Sequence, residues 1–233
     1  GGHLCWQVGN HVDSGVVSPL DIVFHPLFVR VGFVFRKRFV WTFGHGLHCQ
    51  NRFSGRYETI CWYTKGISSF VPHPFVSVQQ EWSTFVLDIP NVKSNHVEKT
   101  KHPCQFPVEL VERFVLALTE PGDLVLDPFG GSGTTAVAAV LHRRRGLVIE
   151  CVSEYVQLAE SRLRWLSEGR LETRPLGKAV CDPSTSGSLS LMPAGWSDIL
   201  NPSLESEAAS DYTAVVHDRL DNPNDISLYI CLM

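Results

Sequence analysis

The second half of the chain alternates short apolar runs with segments of helical periodicity. After Pro107, which can open a helix, apolar residues recur three and four positions apart. These residues are Leu110, Val111, Phe114, Val115 and Leu118. Runs at 124–126 and 146–149 predict buried strands, and helices are predicted over 134–142 and from a capping Ser153. This strand, helix, strand, helix succession is typical of an α/β fold built on a parallel sheet.

The first half of the chain favours strands. Runs at 3–8, 33–43 and 57–64 are rich in β-branched and aromatic residues, and we expect the last two to pair as neighbours in one sheet. Residues 66–95 lose this pattern and contain three interrupting prolines. The sequence therefore predicts a variable, loop-rich insertion there, with at most short strands.

One helix is predicted between the first two of these strands. Ser18 would cap it, Pro19 would be its first helical residue, and Gly32 would stop it. Pro26 lies inside this segment, where a proline removes a hydrogen bond and clashes with the preceding turn. We therefore expect a kink or an interruption at that point.

Length and composition limit the class of protein. The chain has 233 residues, of which 44% are hydrophobic and 19% are charged, enough for one domain with a real core. No apolar run approaches the roughly 20 residues of a membrane helix, and no signal peptide is visible. Because Gly1 leads directly into a strand-like run, we expect the chain to lack its natural beginning. The seven cysteines form no C-x-x-C pair, which favours a reducing cytosol over disulfides or a zinc site.

The net charge of −4 is unevenly distributed. Residues 1–165 carry 16 Lys and Arg against 14 Asp and Glu, whereas residues 166–233 carry 4 against 10. The second segment is also richer in Ser and Pro and shows no sustained period toward its end. We therefore predict a folded domain over 1–165 and an acidic, poorly ordered tail over 166–233.

A glycine-rich loop between the strand at 124–126 and the following helix is the strongest candidate ligand site. Glycines let a backbone approach a ligand closely, and a helix start offers free N–H groups. A phosphate-binding P-loop would need a lysine that this loop lacks. A dinucleotide fold would read residues 131–136 as G-x-G-x-x-A, which is permitted but weak alone. The third possibility is S-adenosylmethionine.

The residues of this loop resemble a family motif. Asp127-Pro128-Phe129-x-Gly131-Ser132-Gly133-Thr134-Thr135 is similar to the cofactor motif of DNA methyltransferases that act on exocyclic amino groups. His102-Pro103-Cys104-Gln105-Phe106-Pro107 resembles the second cofactor segment of the family's β class, which precedes the glycine loop. Glu150 follows the next strand, where the family places an acid on the ribose hydroxyls. The resemblance implies a cofactor site made by Phe106, Asp127, Pro128, Phe129, Gly131, Ser132, Gly133, Thr134 and Glu150.

Segments 1–10, 19–22, 41–46 and 52–58 resemble the same enzymes, so the likeness covers roughly residues 1–180. It implies a doubly wound, Rossmann-like methyltransferase sheet, incomplete at its N-terminus. The implied function is that of a site-specific DNA methyltransferase of a restriction-modification system, which transfers the methyl group of S-adenosylmethionine to adenine N6 or cytosine N4. The implied setting is the cytoplasm of a bacterium or phage host, with double-stranded DNA as partner, a cognate restriction endonuclease acting alongside, and no membrane.

Structural roles compete with these functional ones. Asp127 could simply cap the helix start, and Glu150 could be a surface acid at a strand end. Phe106 could be a staple for the following helix, a role that is compatible with cofactor contact. The glycines and the upstream segment together favour cofactor binding.

Basic residues are concentrated between positions 30 and 65, where Glu58 is the single acid. We predict DNA contacts from Arg36, Lys37, Arg38, Arg52 and Arg56. The alternative is a solvated strand edge on which charge prevents aggregation. The insertion at 66–95 lies where the family carries its target-recognition region. The basic run at 143–145 is explained by the dipole of a helix C-terminus.

The residues that would act on the target base are missing. The family presents the amino group to the cofactor with the tetrapeptide Asp/Asn/Ser-Pro-Pro-aromatic, whereas this sequence has 14 prolines and no Pro-Pro pair. The near matches at 201–203 and 222–224 lack the second proline and the aromatic residue. We therefore assign no catalytic residue and no metal ligand, and expect the chain to be inactive alone. A non-catalytic remnant that binds DNA or cofactor remains one alternative, and a nucleotide-linked oxidoreductase another.

Overall fold

The computed structural model describes residues 2–43, 55–66, 85–93 and 96–176. Eight strands and four helices lie within these ranges. The strands are β1 (His3–Val8), β2 (Asn10–Asp13), β3 (Val16–Pro19), β4 (Phe33–Thr42), β5 (Tyr57–Lys65), β6 (Val86–Asp88), β7 (Leu124–Asp127) and β8 (Arg145–Val148). The helices are α1 (Leu20–Arg30), α2 (Val108–Leu118), α3 (Thr134–Leu141) and α4 (Ser153–Ser167).

A four-stranded mixed sheet has the order β1-β5-β4-β6. Strand β5 runs antiparallel to both β1 and β4, and β6 runs parallel to β4. The predicted pairing of 33–43 with 57–64 is therefore confirmed, with a bulge between Phe35 and Lys37. Because β1, β4 and β6 point the same way, their carboxyl ends share one edge of the sheet.

A second sheet consists of the parallel pair β7 and β8. Helix α3 connects the two strands and α4 follows β8, which confirms the predicted strand, helix, strand, helix succession. Among the described residues, no strand pairing joins this sheet to the four-stranded one. The two sheets share a buried core instead, in which α2 contributes Val111 and Val115, β5 contributes Ile60 and β7 contributes Val125.

The opposite face of the four-stranded sheet is covered by α1. Its Phe24 and Phe28 rings lie 5.1 and 4.9 Å from the Trp6 ring on β1. Phe28 also lies 5.2 Å from Tyr63 on β5. Since helices cover both faces of this sheet, the molecule has the layered architecture that the sequence predicted.

The start of α1 differs from the prediction. Ser18 and Pro19 belong to β3, and Pro19 occupies the cap position without a side-chain hydrogen bond, so Ser18 is not the cap. The reason is a β-hairpin that the sequence analysis missed, in which Asn10–Asp13 pairs with Val16–Pro19. Its turn places Ser14 at φ 48° and Gly15 at φ 83°, the left-handed pair that a two-residue hairpin requires.

Two details of the second half also differ from the prediction. Ser153 is the first helical residue of α4 and Val152 occupies the cap position, so the predicted Ser153 cap is wrong. Packed structure also continues beyond residue 165, because α4 ends at Ser167 and the chain then lies against the domain. Arg174 and Leu176 are both buried there, and the Arg174 guanidinium pairs with Glu109 of α2 at 2.9 Å. Within the described residues, no helix is long and apolar enough to cross a membrane.

Candidate cofactor site

Asp127 braces the loop that links β7 to α3. One of its carboxylate oxygens accepts the Phe129 N–H at 3.0 Å, and the other accepts the Thr135 hydroxyl at 2.6 Å. Burial raises the pKa of this carboxyl from 3.8 to about 6, although both hydrogen bonds favour the charged form. Asp127 therefore fastens the loop between the end of the strand and the first turn of the helix. It does not cap the helix, whose N-cap residue is Gly133 and has no side-chain cap hydrogen bond, so its structural role differs from the one that competed with cofactor contact.

Three glycines let this loop pass between neighbouring elements. A Cβ atom at Gly130 would lie 2.8 Å from the Val148 side chain, and one at Gly133 would lie 2.6 Å from the Cβ of Ala159. Gly131 and Gly133 have φ of 50° and 74°. A Cβ at Gly131 would lie 3.0 Å from the imidazole of His102. The glycines are thus required both for conformation and for the close packing of the loop against its neighbours.

Glu150 lies directly after β8 and faces the same loop. Its two carboxylate oxygens accept the N–H groups of Gly131 and Val152, each at 2.8 Å. The Val152 N–H makes the larger contribution to a lowered pKa of this carboxyl, so the group is held in its charged form. A carboxylate oxygen has a second lone pair, and Glu150 is only half-buried. It can therefore accept hydrogen bonds from the hydroxyls of a ribose while it keeps the hydrogen bond from the Gly131 N–H.

The remaining predicted loop residues divide into buried and exposed ones. Ser132 and Thr134 are buried, with their hydroxyl oxygens 3.2 Å apart, whereas Phe129 is 59% exposed. Pro128 is half-buried between Asp127 and Phe129. Only Phe129 of this group therefore presents a large apolar surface to the solvent.

Phe106 combines a core contact with a position beside the loop. Its ring lies 5.9 Å from Trp41 of β4, and it packs against the core shared by the two sheets. Its carbonyl accepts the Thr134 hydroxyl at 3.3 Å. The structure thus brings the segment before α2 against the start of α3.

His102 is a site residue to which the sequence analysis gave no role. Its ring packs edge-on against Tyr155 of α4, with centroids 4.4 Å apart, and lies over Gly131. Burial lowers its pKa, so the imidazole is held neutral. The edge of the ring that carries Nε2 lies directly against the glycine loop, and the His-Pro pair was the signal that could have identified this residue.

The basic residues predicted to contact DNA do not form one cluster. Arg36 donates to the Thr64 hydroxyl at 2.7 Å, and Arg38 pairs with the buried Asp21 at 3.0 Å. The Lys37 ammonium lies 5.3 Å from the centre of the Phe39 ring. Arg56 lies beside Phe43, just before β5. It is separated from Arg38 by five residues along β4 and from Arg36 by seven, which is roughly 17 to 23 Å by the rise of a strand. Arg52 lies outside the described residues.

The sequence analysis explained the basic run after α3 by the dipole of the helix end. In the structure, one arginine of this run makes specific hydrogen bonds at that end. Arg144 is buried, and its guanidinium donates to the hydroxyl and carbonyl of Thr119 and to the carbonyl of His142. It therefore ties the end of α3 to the end of α2.

The parallel strands β7 and β8, the glycine loop after the first and the acid after the second together define a class I methyltransferase fold with a cofactor site for S-adenosylmethionine. The family of N6- and N4-type DNA methylases matches residues 1–161. The chain belongs to this family. That membership decides against the dinucleotide alternative for residues 131–136.

Two relatives of known sequence illustrate the match. The type II methyltransferase M.BglII from Bacillus subtilis is 41% identical over 182 residues, which are 68% of this chain and 50% of that protein. The DNA adenine methyltransferase YhdJ from Escherichia coli is 30% identical over 172 residues, which are 63% of this chain and 58% of that protein. The chain thus spans about half the length of these relatives.

Solved structures agree with this fold. The PvuII DNA methyltransferase, which is cytosine-N4-specific, superposes with a TM-score of 0.59 at 28% identity. That match covers 68% of this chain and 62% of the PvuII chain. The complex of M1.HpyAVI with S-adenosylmethionine superposes with a TM-score of 0.51 at 27% identity and covers 61% of this chain and 68% of that one.

Proposed function

We propose that this chain is the cofactor-binding and DNA-contacting part of a DNA methyltransferase. The reaction is transfer of a methyl group from S-adenosylmethionine to adenine N6 or cytosine N4. The observation that carries this proposal is the loop itself. Glu150 is charged and accepts the N–H of Gly131, while Gly131 and Gly133 have the left-handed backbone conformations that give the loop its shape.

Each part of the site has a distinct task in cofactor binding. Bound S-adenosylmethionine supplies an activated methyl group on a sulfonium. Glu150 would accept hydrogen bonds from the ribose hydroxyls, and the neutral imidazole of His102, which lies against Gly131, would flank the loop beside the cofactor. Phe106 and the exposed Phe129 would pack beside it. Asp127 would support cofactor binding indirectly, because its hydrogen bonds hold the loop in place.

Transfer needs groups that this chain does not supply. An exocyclic amine must be flipped out of the duplex, and its N–H hydrogens must be accepted while the methyl group moves in line. No Pro-Pro pair occurs in the 233 residues. We therefore propose that the chain alone binds its partners without transferring the methyl group. The same absence favours a second candidate, a non-catalytic remnant that binds DNA or cofactor.

The proposed DNA contacts are Arg36, Lys37, Arg38, Arg52 and Arg56. Arg36, Lys37 and Arg38 place positive charge at one position along the β4 and β5 pair and Arg56 at another, which suits contacts to phosphates spaced along a backbone. Such contacts would orient the duplex without reading its sequence. We further propose a cytoplasmic protein that acts alongside a restriction endonuclease of the same specificity.

Calorimetric titration with S-adenosylmethionine tests the cofactor assignment. Glu150→Gln keeps the shape of the side chain and removes its charge, so it should weaken binding roughly tenfold, the loss of about one charge-assisted hydrogen bond. Glu154→Gln is the matched control, since Glu154 is exposed in the first turn of α4. Equal affinity of the wild type and both variants would overturn the assignment.

A labelled methyl group separates binding from transfer. We expect no incorporation into DNA by the 233-residue chain, and incorporation once a segment carrying Pro-Pro-aromatic is fused upstream. Incorporation by the chain alone would contradict our assignment of the chemistry to that tetrapeptide. Failure of the fused chain to transfer, although it binds both partners, would favour the non-catalytic remnant.

A further inference from the structure

A buried arginine of α4 makes hydrogen bonds to the glycine loop. Arg162 of α4 is 1% exposed, and its Nη1 donates to the carbonyl of Ser132 at 2.9 Å. The same nitrogen donates to the hydroxyls of Thr134 at 2.9 Å and Ser132 at 3.3 Å. One guanidinium group thus contacts both the last turn of the loop and the first residue of α3.

The charge of Arg162 is offset by a buried acid. Burial lowers the pKa of this guanidinium to about 10, and the charge of Glu98 opposes that shift. Glu98 is 5% exposed and accepts the N–H groups of Val108 and Arg174 at 2.8 and 2.9 Å. Since pH 7 is well below 10, Arg162 stays charged and its hydrogen bonds are charge-assisted.

The carbonyl that Arg162 holds belongs to a peptide unit that could easily rotate. Ser132 is followed by Gly133, whose N–H in the same unit donates to the Gly130 carbonyl at 2.7 Å. Glycine adopts φ of either sign at little cost, so rotation of this unit is restrained mainly by its hydrogen bonds. Rotation would remove the Arg162 bond and the Gly130 bond together.

We propose that Arg162 is a positioning residue that holds the glycine loop in its cofactor-binding conformation before the cofactor arrives. This inference rests on the proposed function for its effect on cofactor affinity, but the loop conformation can be measured without cofactor. A preformed loop avoids the entropy of ordering during binding, and a loop released from Arg162 would bear that cost.

Arg162→Lys is the informative change because it keeps the positive charge near Glu98. The bonds to Ser132 and Thr134 all come from Nη1, at the far end of the guanidinium. A lysine side chain ends about one bond short of that position and carries a strongly hydrated point charge. The carbonyl of Ser132 and the hydroxyl of Thr134 should then not both be held.

Arg144 provides a matched control. It is 6% exposed and makes three hydrogen bonds, to Thr119 and His142, at the opposite end of β7 from the loop. Arg144→Lys therefore removes a buried guanidinium of similar connectivity without touching the loop. Any general loss of stability should be similar in the two variants.

The experiment combines hydrogen exchange without cofactor and calorimetry with S-adenosylmethionine. In Arg162→Lys we expect amides 130–134 to exchange at least tenfold faster and the Kd to rise at least tenfold. In Arg144→Lys both should stay within twofold of the wild type. Equal exchange of the loop amides in the two variants would overturn the proposal, as would an equal Kd. If the wild type binds no S-adenosylmethionine, the proposed function fails, while the exchange comparison still decides whether Arg162 positions the loop.

Discussion

Replacing Gly133 by alanine should destabilise the protein by two separable effects. Gly133 has φ of 74°, a conformation that costs an alanine about 1 to 2 kcal/mol. The new Cβ would also lie 2.6 Å from the Cβ and 3.0 Å from the Cα of Ala159 on α4. Because a backbone atom is involved, the helix itself must move outward, and overpacking of this kind costs about 1 to 3 kcal/mol.

Gly169 separates the two effects. Its φ is 65°, and no heavy atom lies within 4 Å of its would-be Cβ among the described residues. Gly169→Ala therefore bears the conformational cost alone. The entropy that alanine removes from the unfolded chain is the same in both variants and cancels in the comparison. We expect Gly133→Ala to be less stable than Gly169→Ala by about 1 to 3 kcal/mol.

Urea unfolding at 25 °C, followed by circular dichroism, measures this difference. A typical domain is stable by about 5 to 15 kcal/mol, so the loss in Gly133→Ala should shift the midpoint clearly while leaving the slope unchanged. Losses equal within about 0.5 kcal/mol would refute the reasoning, because they would mean that α4 does not press on the loop at Gly133.

The remaining predictions concern titration and DNA. Asp127 has a pKa of about 6 in the folded protein against 3.8 in the unfolded chain, so the wild type should lose stability as pH rises from 4 to 6, relative to Asp127→Asn, which does not titrate. Urea unfolding at pH 4 and pH 7 should show the variant gaining roughly 2.5 kcal/mol relative to the wild type, and a constant difference would contradict this. Lys37→Gln should weaken DNA binding and reduce its salt dependence by about one counterion in gel-shift titrations at two salt concentrations. If the salt dependence of binding is unaltered in Lys37→Gln, this lysine does not contact DNA. Arg38→Gln is unsuitable for the same test because it leaves the buried Asp21 unpaired.

Periodicity was a sound guide wherever an element lies in the core. The apolar positions of α2 are spaced at helical intervals because one face packs against Ile60 and Val125, and the structure confirms that helix. The strand after it was equally clear. The hairpin of β2 and β3 was missed because its strand residues are exposed or half-buried and show no apolar alternation, although Ser14-Gly15 is a turn signal.

The candidate site was predictable where it depends on the backbone and not where it depends on distant side chains. The glycines report a local conformation, so their spacing identifies the loop. Arg162 lies 28 residues from Thr134 in a helix that also carries exposed charges, and a single arginine there suggests a solvated face. Only the packing of α4 against the loop shows that this arginine is buried. Likewise, the pairing of Arg38 with Asp21 depends on how α1 crosses β4.

The separation of the two sheets has a consequence for how the protein unfolds. Among the described residues, no strand pairing connects the β7 and β8 pair to the four-stranded sheet. Cohesion between the two halves therefore depends on apolar packing around α2, including the edge-on contact of Phe114 with Phe39 at 5.2 Å. Apolar packing weakens on cooling, whereas backbone hydrogen bonds do not share that temperature dependence. The half that carries the glycine loop can thus act as a unit of local opening, with each sheet remaining internally paired.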